Sequence, residues 1–239
     1  MKMPKSTDVR LNKFISSSGI CSRREADKLI EKGLVFINGK KCDKLGKKIS
    51  IKDKIKVRGK EISPEKKVYI LLNKPKDFIT SRKDENNRKT VFELLKGIKE
   101  RVFYVGRLDR NTTGLLLFTN DGELSKRLTH PSYKVKKIYS VTLDKEVQEV
   151  DIKKIKEGLN IDNEKIIVDE IIKLEQKKEV GIEIHIGKNR IVRKIFESLG
   201  YKVKKLDRVL FGDLTKKKLP RGKWRRLNNS EIQMLKKIK

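Results

Sequence analysis

The apolar positions of this chain change period several times, and each change predicts an element. Leu11, Phe14 and Ile15 have helical spacing, and Gly19 can end that helix. Ser22-Arg23-Arg24-Glu25 reads as a capping box. In such a box the serine hydroxyl takes the amide three residues on, while the glutamate reaches back to the serine amide. On the helix it opens, Ala26, Leu29 and Ile30 share one face, while Arg24, Lys28 and Lys32 stand four apart on another. Gly33 supplies the stop. Val35-Phe36-Ile37 then runs into Asn38-Gly39, a pair suited to the positive φ angles of a tight hairpin. Ile49 and Ile51, then Ile55 and Val57, alternate as strands on either side of Lys52-Asp53-Lys54. Residues 59–67 are polar and include Pro64, so the boundary falls near residues 60–67. The expectation is a small domain over residues 8–62 and a larger one over residues 67–239.

The larger part begins with a buried-type strand, Val68-Tyr69-Ile70-Leu71-Leu72, ended by Asn73-Lys74-Pro75. Thr90-Val91-Phe92-Glu93 is a second capping box, opening a short helix. Residues 102–105 and 114–119 read as strands on either side of a polar loop. Asn120-Asp121-Gly122 is a turn into a short helix through Leu128. Residues 137–143 and 180–186 read as strands, the second alternating at Val180, Ile182, Ile184 and Ile186. Residues 190–199 read as an amphipathic helix with Ile191, Val192, Ile195, Phe196 and Leu199 inward and Arg190, Arg193, Lys194 and Glu197 outward, stopped by Gly200. Strands and helices mix without strict βαβ alternation, so the fold class is α+β.

Charge adds a partner to this outline. There are 62 Lys and Arg against 32 Asp and Glu, a formal net charge of +30. Both parts of the chain are basic, which suits a polyanion touching both. A solvated lysine-rich surface is the bland alternative. No apolar run approaches the roughly 20 residues that span a bilayer, and the polar N-terminus lacks the apolar core of a signal peptide. A cytoplasmic protein without membrane attachment is therefore expected. Cys21 and Cys42 form no CxxC pair and read as ordinary reduced thiols.

Several catalytic constellations are missing. His130 and His185 stand in unrelated contexts, and no metal-ligand spacing, GxSxG, P-loop or GxGxxG is present. An enzyme of this sequence would use no metal, nucleotide or flavin, and would rely on carboxylate, Tyr, Arg and Lys. The loop Gly106-Arg107-Leu108-Asp109-Arg110-Asn111-Thr112-Thr113-Gly114 stands out, with one carboxylate between two arginines and an apolar strand on each side. An arginine close to Asp109 would keep it ionised, and an ionised, positioned carboxylate can act as a nucleophile. A salt-bridged turn aspartate satisfies the same pattern.

Resemblance to known families separates these readings. Arg10-Leu11-Asn12-Lys13, Ser22-Arg23-Arg24-Glu25-Ala26 and Val35-Phe36-Ile37-Asn38-Gly39 resemble the S4 RNA-binding domain over roughly residues 8–60. In that family the second helix and adjoining loop lie on structured RNA, which implies the same role for Arg23, Arg24, Lys28 and Lys32. Gly106-Arg107-Leu108-Asp109, followed by Thr113-Gly114-Leu115-Leu116-Leu117-Phe118-Thr119-Asn120-Asp121-Gly122, resembles the signature of bacterial ribosomal RNA pseudouridine synthases with an N-terminal S4 domain. Lys137-Ile138-Tyr139 is similar to that family's tyrosine motif, and Gly187-Lys188-Asn189-Arg190-Ile191-Val192-Arg193 through Tyr201 to its arginine motif. Leu206-Asp207-Arg208 and Gly222-Lys223-Trp224-Arg225 also fit. Lys188 and Ile195 stand where Arg and Met are commoner, and neither is a catalytic position.

The resemblance implies a small S4-like domain followed by a larger, mixed, mainly antiparallel catalytic domain. It implies isomerisation of a uridine to its C-glycoside without a cofactor, after the nucleotide has been flipped from its stack. Asp109 would be the catalytic carboxylate. Tyr139 would pack against the flipped uracil and offer a phenol for removing the C5 proton. Arg193 would orient Asp109. Arg190 would hold a phosphate, and Arg107 would enter the vacated stack. The implied partner is ribosomal RNA. Residues 111–120 sit closer to the large-subunit branch, which points to 23S rRNA. A 16S or tRNA target, or a noncatalytic S4-type protein of ribosome assembly, are the alternatives. Nothing demands more than a monomer.

Overall fold

The second helix shows how the local rules act together. In the computed structural model, which describes residues 8–238, the Ser22 hydroxyl accepts the Glu25 amide and the Glu25 carboxylate accepts the Ser22 amide. The first seven residues of the polar N-terminus and Lys239 of the basic tail lie outside the described residues. The chain forms two compact units, Met1–Lys67 with Lys99–Arg101, and Val68–Ile98 with Val102–Lys239.

The N-terminal unit contains β1 (Val9–Arg10), α1 (Leu11–Ser17), α2 (Arg23–Glu31), β2 (Val35–Ile37), β3 (Lys40–Cys42), β4 (Lys48–Ile49), β5 (Ile55–Val57) and β6 (Lys60–Ile62). Leu11, Phe14 and Ile15 of α1 meet Ala26, Leu29 and Ile30 of α2 in one core. The hairpin of β2 and β3 turns at Asn38 and Gly39, both with positive φ. Two sequence expectations change here. Ile51 is not in a strand: it is largely exposed in a turn, and β4 pairs with β1 rather than leading into β5. Lys60–Ile62, in the stretch read as a boundary, is a strand paired with β5. A polar edge strand carries little apolar alternation, so its sequence resembles a linker.

The larger unit contains β7 (Tyr69–Lys74), a 3-10 turn (Val91–Leu94), β8 (Phe103–Val105), β9 (Thr113–Thr119), α3 (Gly122–Thr129), a second 3-10 turn (Pro131–Tyr133) and β10 (Lys137–Leu143). It continues with α4 (Glu149–Glu157), β11 (Leu159–Ile161), β12 (Glu164–Ile166), β13 (Glu170–Lys173), β14 (Glu179–Ile184), α5 (Ile191–Glu197), β15 (Val203–Phe211), β16 (Leu214–Thr215), β17 (Trp224–Arg226) and α6 (Asn229–Lys237). The main path of its sheet runs β13-β14-β10-β15-β9-β7-β17. All its pairings are antiparallel except β9 with β15. The fold is thus the α+β class that the pattern of elements predicts, with the mixed, mainly antiparallel sheet that the resemblance implies.

Strands β7 and β9 are apolar on both sides because both faces of the sheet are covered. Ile70, Leu72, Leu116 and Phe118 enter one core cluster, and Tyr69, Leu71, Leu115 and Leu117 enter the other. Trp224 is half-buried against the first cluster, so it acts as core rather than as an exposed stacking surface. Among the described residues no helix is long and apolar enough to cross a membrane.

Candidate active site

Asp109 sits in the loop joining β8 to β9, and that loop is held from beneath. Lys74 ends β7 and is completely buried. Its Nζ donates to the carbonyl oxygens of Asp109 at 3.0 Å, Arg110 at 3.1 Å, Thr112 at 2.9 Å and Pro75 at 3.1 Å. Burial pushes this ammonium down to about 8, against the opposing pull of Asp109 and Asp77. Thr80 Oγ1 donates to the Leu108 carbonyl at 2.7 Å and accepts the Leu108 amide at 3.2 Å. The Asp77 amide donates to the Arg110 carbonyl at 3.0 Å. The backbone of the loop is therefore fixed while the Asp109 side chain stays 37% exposed. The sequence pattern ends the strand at Leu72. Asn73 and Lys74 in fact continue it, both buried.

The arginines beside Asp109 in sequence turn elsewhere. Arg107 is exposed, and Arg110 pairs with Asp77 at 2.9 Å. The guanidinium groups that approach the carboxylate come from α5 and the residue just before it. Arg193 Nε and Arg190 Nη1 each stand 3.9 Å from Asp109 Oδ2. This is ion-pair range, longer than a hydrogen bond. Arg190 adopts a left-handed backbone (φ +52°) just before the helix. Arg193 does not lie on a solvated helix face as its spacing suggests: it is buried, and its Nη1 donates to the Val203 carbonyl at 3.1 Å.

Tyr139 is carried by β10, opposite Ile182 of β14 and Arg208 of β15. Alternation along the strand puts Lys137, Tyr139, Val141 and Leu143 on one face. Tyr139 is buried. The parallel pairing of Thr113–Gly114 with Asp207–Arg208 brings the loop's exit against this strand pair. Gly114 makes that approach possible: its φ is +105°, and a Cβ there would collide with the Arg208 backbone.

These elements line an open cavity of about 180 Å³. Asp109, Arg107, Tyr139 and Arg190 line it, together with Lys137 and Arg208, and Ile184, Ile191 and Leu206 supply apolar wall. The size and mixed lining suit a flat heterocycle beside a carboxylate. Lys137 and Arg208 have no role in the sequence reading beyond lying in matching motifs. A signal for the first was present, since Lys137 precedes Tyr139 by two in a strand. Among the described residues no group of three His, Cys, Asp or Glu side chains is placed to hold a metal ion. His185 Nδ1 lies 2.6 Å from Asp169, and His130 Nδ1 lies 2.8 Å from Ser132 Oγ, so the histidines do stand apart.

In the N-terminal unit Arg23, Arg24, Lys28 and Lys32 are all exposed on α2 or at its end, opposite the buried Ala26, Leu29 and Ile30.

Comparison with known proteins bears on both units. Residues 68–198 match the family model described as RNA pseudouridylate synthase, and residues 9–55 match that of the S4 domain. An uncharacterized RNA pseudouridine synthase of Aquifex aeolicus is 42% identical over 95% of this chain and 94% of its own. The ribosomal large subunit pseudouridine synthase B of Bacillus subtilis is 37% identical over 96% of each chain. A solved pseudouridylate synthase superposes with a TM-score of 0.68 at 32% identity, covering 95% of this chain and 99% of its own.

Proposed function

The chain belongs to the RNA pseudouridylate synthase family and carries an S4 domain, and from that premise we propose that it isomerises a specific uridine of large-subunit, 23S ribosomal RNA with Asp109 as its catalytic carboxylate. The convergence of Asp109, Tyr139 and Arg190 on one cavity, with Arg193 3.9 Å from the Asp109 carboxylate, carries this reading. These residues come from a loop, a strand and a helix far apart in sequence, and a structural turn aspartate requires no such gathering. The name of the Bacillus subtilis relative supports the large-subunit target.

In this reading the uridine leaves its stack and enters the cavity, at a cost of roughly a few kcal/mol. Tyr139 packs against the uracil. Arg193 orients Asp109 from 3.9 Å by charge, and that contact tightens when substrate excludes water. Arg190, at the mouth, holds a phosphate, and Arg107 fills the vacated stack. Arg23, Arg24, Lys28 and Lys32 bind RNA through an S4 domain over residues 8–62, with the catalytic domain over residues 67–239. The enzyme works in the cytoplasm as a monomer.

Pseudouridine mapping in ribosomal RNA from cells with and without this protein tests the assignment. One large-subunit position should revert to uridine. Reversion confined to the small-subunit RNA would overturn the target. Absence of tritium release from 5-tritiated uridine in large- and small-subunit ribosomal RNA would overturn the activity.

A further inference from the structure

Three buried side-chain polar atoms have no hydrogen-bond partner among the described residues: Thr112 Oγ1, Arg193 Nε and Arg208 Nη2. Two of the three are on residues that line the Asp109 cavity, Thr112 and Arg208, and the third faces the Asp109 carboxylate, with Arg193 Nε 3.9 Å from Asp109 Oδ2. Buried polar groups are almost always satisfied, so a cluster of orphans beside one hollow calls for a polar partner there.

Lys137 and Arg208 stand out within that hollow. Arg208 is 2% exposed, and its Nε donates to the Leu115 carbonyl at 2.8 Å. Lys137 Nζ donates to the carbonyls of Val135 at 3.0 Å and His185 at 2.6 Å, leaving a third donor. Neither makes an ion pair among the described residues. They flank Tyr139, one two residues before it on β10 and the other opposite it on β15. Two neighbouring cations withdrawn from water without a counter-anion are costly. Burial first, and then Arg208, pushes the Lys137 ammonium down to about 8, with Asp169 opposing. A negative ligand in the cavity would offset that cost.

We propose that Lys137 and Arg208 are catalytic residues that hold the carbonyl oxygens of the flipped uracil and stabilise its anion while it is detached from the sugar. The inference rests on the pseudouridine synthase reading. Asp109 can act on the sugar either by attack at C1′ or by removing the C2′ proton. In both routes the electron pair of the C1′–N1 bond leaves with the base, and the charge spreads from N1 to O2 and O4. Donors fixed at those oxygens in a dry site are worth most at the moment the charge develops. The freed ring turns past Tyr139 and C5 bonds to C1′; in the first route this breaks the C1′–O bond to Asp109, and in the second Asp109 returns its proton to C2′. C5 then loses its proton and N1 takes one up, so the product is an isomer of the uridine. Atoms and electrons balance without a co-reactant. A cytosine would aim its amino group at a cation and be rejected by the same pair.

The experiment measures single-turnover rates at saturating enzyme, on ribosomal RNA fragments carrying either uracil or the more acidic 5-fluorouracil at the target. Cleavage of the original N-glycoside is the readout. The wild-type rate on uracil tests the underlying reading by itself. Given that activity, Lys137→Gln should slow the uracil substrate on the order of a hundredfold with RNA affinity unchanged. Its deficit should shrink on 5-fluorouracil, which carries negative charge with less help. Lys137→Arg should recover most of the rate. An equal deficit on both bases indicates a merely structural role and overturns the proposal. So does a loss of affinity in place of rate, which would make Lys137 a phosphate contact. If Lys137→Gln does not fold, Lys137→Met is read by the same comparison, and an equal deficit on both bases overturns the proposal.

Discussion

The two units carry the same kinds of cation and handle them in opposite ways. Arg23, Arg24, Lys28 and Lys32 of the N-terminal unit are exposed around one helix whose other side is core. Lys74, Arg193 and Arg208 of the larger unit are buried, and each is tied to backbone carbonyls: four for Lys74, Val203 for Arg193 and Leu115 for Arg208. An exposed cation keeps its hydration and its freedom. It contributes to a polyanion mainly by number, and salt screens it. A buried cation has lost its water, so its position is fixed and its field acts at short range with little screening. The first arrangement suits holding RNA in many registers. The second suits placing one carboxylate and one base.

The sharpest break between the two lies at Asp109. Asp109→Asn keeps the shape of the loop, because Lys74 grips only its backbone. Tritium release should fall by at least about 10⁴-fold, while RNA binding measured by filter retention stays within about twofold. A matching loss of binding would show that the carboxylate organises the surface rather than the chemistry.

Lys74→Met tests whether a buried cation is structural support. The Asp109 carbonyl keeps the Thr112 amide, and the Arg110 carbonyl keeps the Asp77 amide, but the other two lose this donor. We expect a loss of about 2–3 kcal/mol in denaturant unfolding. The single-turnover rate should also fall roughly a hundredfold, because the loop shifts Asp109. A variant that unfolds at the wild-type denaturant concentration would place the support of the loop elsewhere.

Much of the fold was legible because its cores follow simple periods. The boxes at Ser22 and Thr90, the Asn38-Gly39 hairpin and the strands at 114–119 and 137–143 were all visible in the sequence. Residues 145–179 and 203–239, which hold α4, β11 to β13, the long β15 and α6, gave no comparable reading. Strand β15 alternates poorly because it carries Asp207 and Arg208 as polar supports inside the sheet. The site was legible through motifs, and its geometry was not. Arg193 looked like an outward helix residue because spacing cannot tell a solvated arginine from one buried against a carboxylate and a backbone carbonyl. Lys74 was invisible for a related reason: a lysine before a proline reads as the end of a strand. Buried charge breaks the rule that makes sequences readable, and it gathers where the chemistry is.

Asp207 extends the comparison to pH. Burial would raise its carboxyl, but hydrogen bonds from Arg221 at 2.8 Å, from Lys216 and from Thr113 at 2.6 Å outweigh this and hold it at about 2. A depressed folded-state value stabilises the protein above the unfolded value near 3.9, and that contribution is lost as pH falls towards 2. It amounts to about 2 kcal/mol. Asp207→Asn should therefore flatten the dependence of unfolding free energy on pH between about 4 and 2. An unchanged acid slope would assign it to other carboxylates.

The smallest effect on folding and chemistry belongs to the exposed set. Changing Arg23, Arg24, Lys28 and Lys32 together to Ala removes four charges whose side chains face solvent. Stability should move by no more than about 0.5 kcal/mol per site, since Ala26, Leu29 and Ile30 keep the core face and Ser22 with Glu25 keeps the cap. The single-turnover rate at saturating enzyme should not change, because none of the four lines the Asp109 cavity. The response appears in binding. Affinity for the ribosomal RNA fragment should fall, and the log–log dependence on salt should become shallower by roughly 0.7–0.9 for each phosphate contact removed. If instead the rate at saturation falls while the salt slope stays the same, these cations would be acting on chemistry, and the division of labour between exposed and buried charge would fail at its N-terminal end.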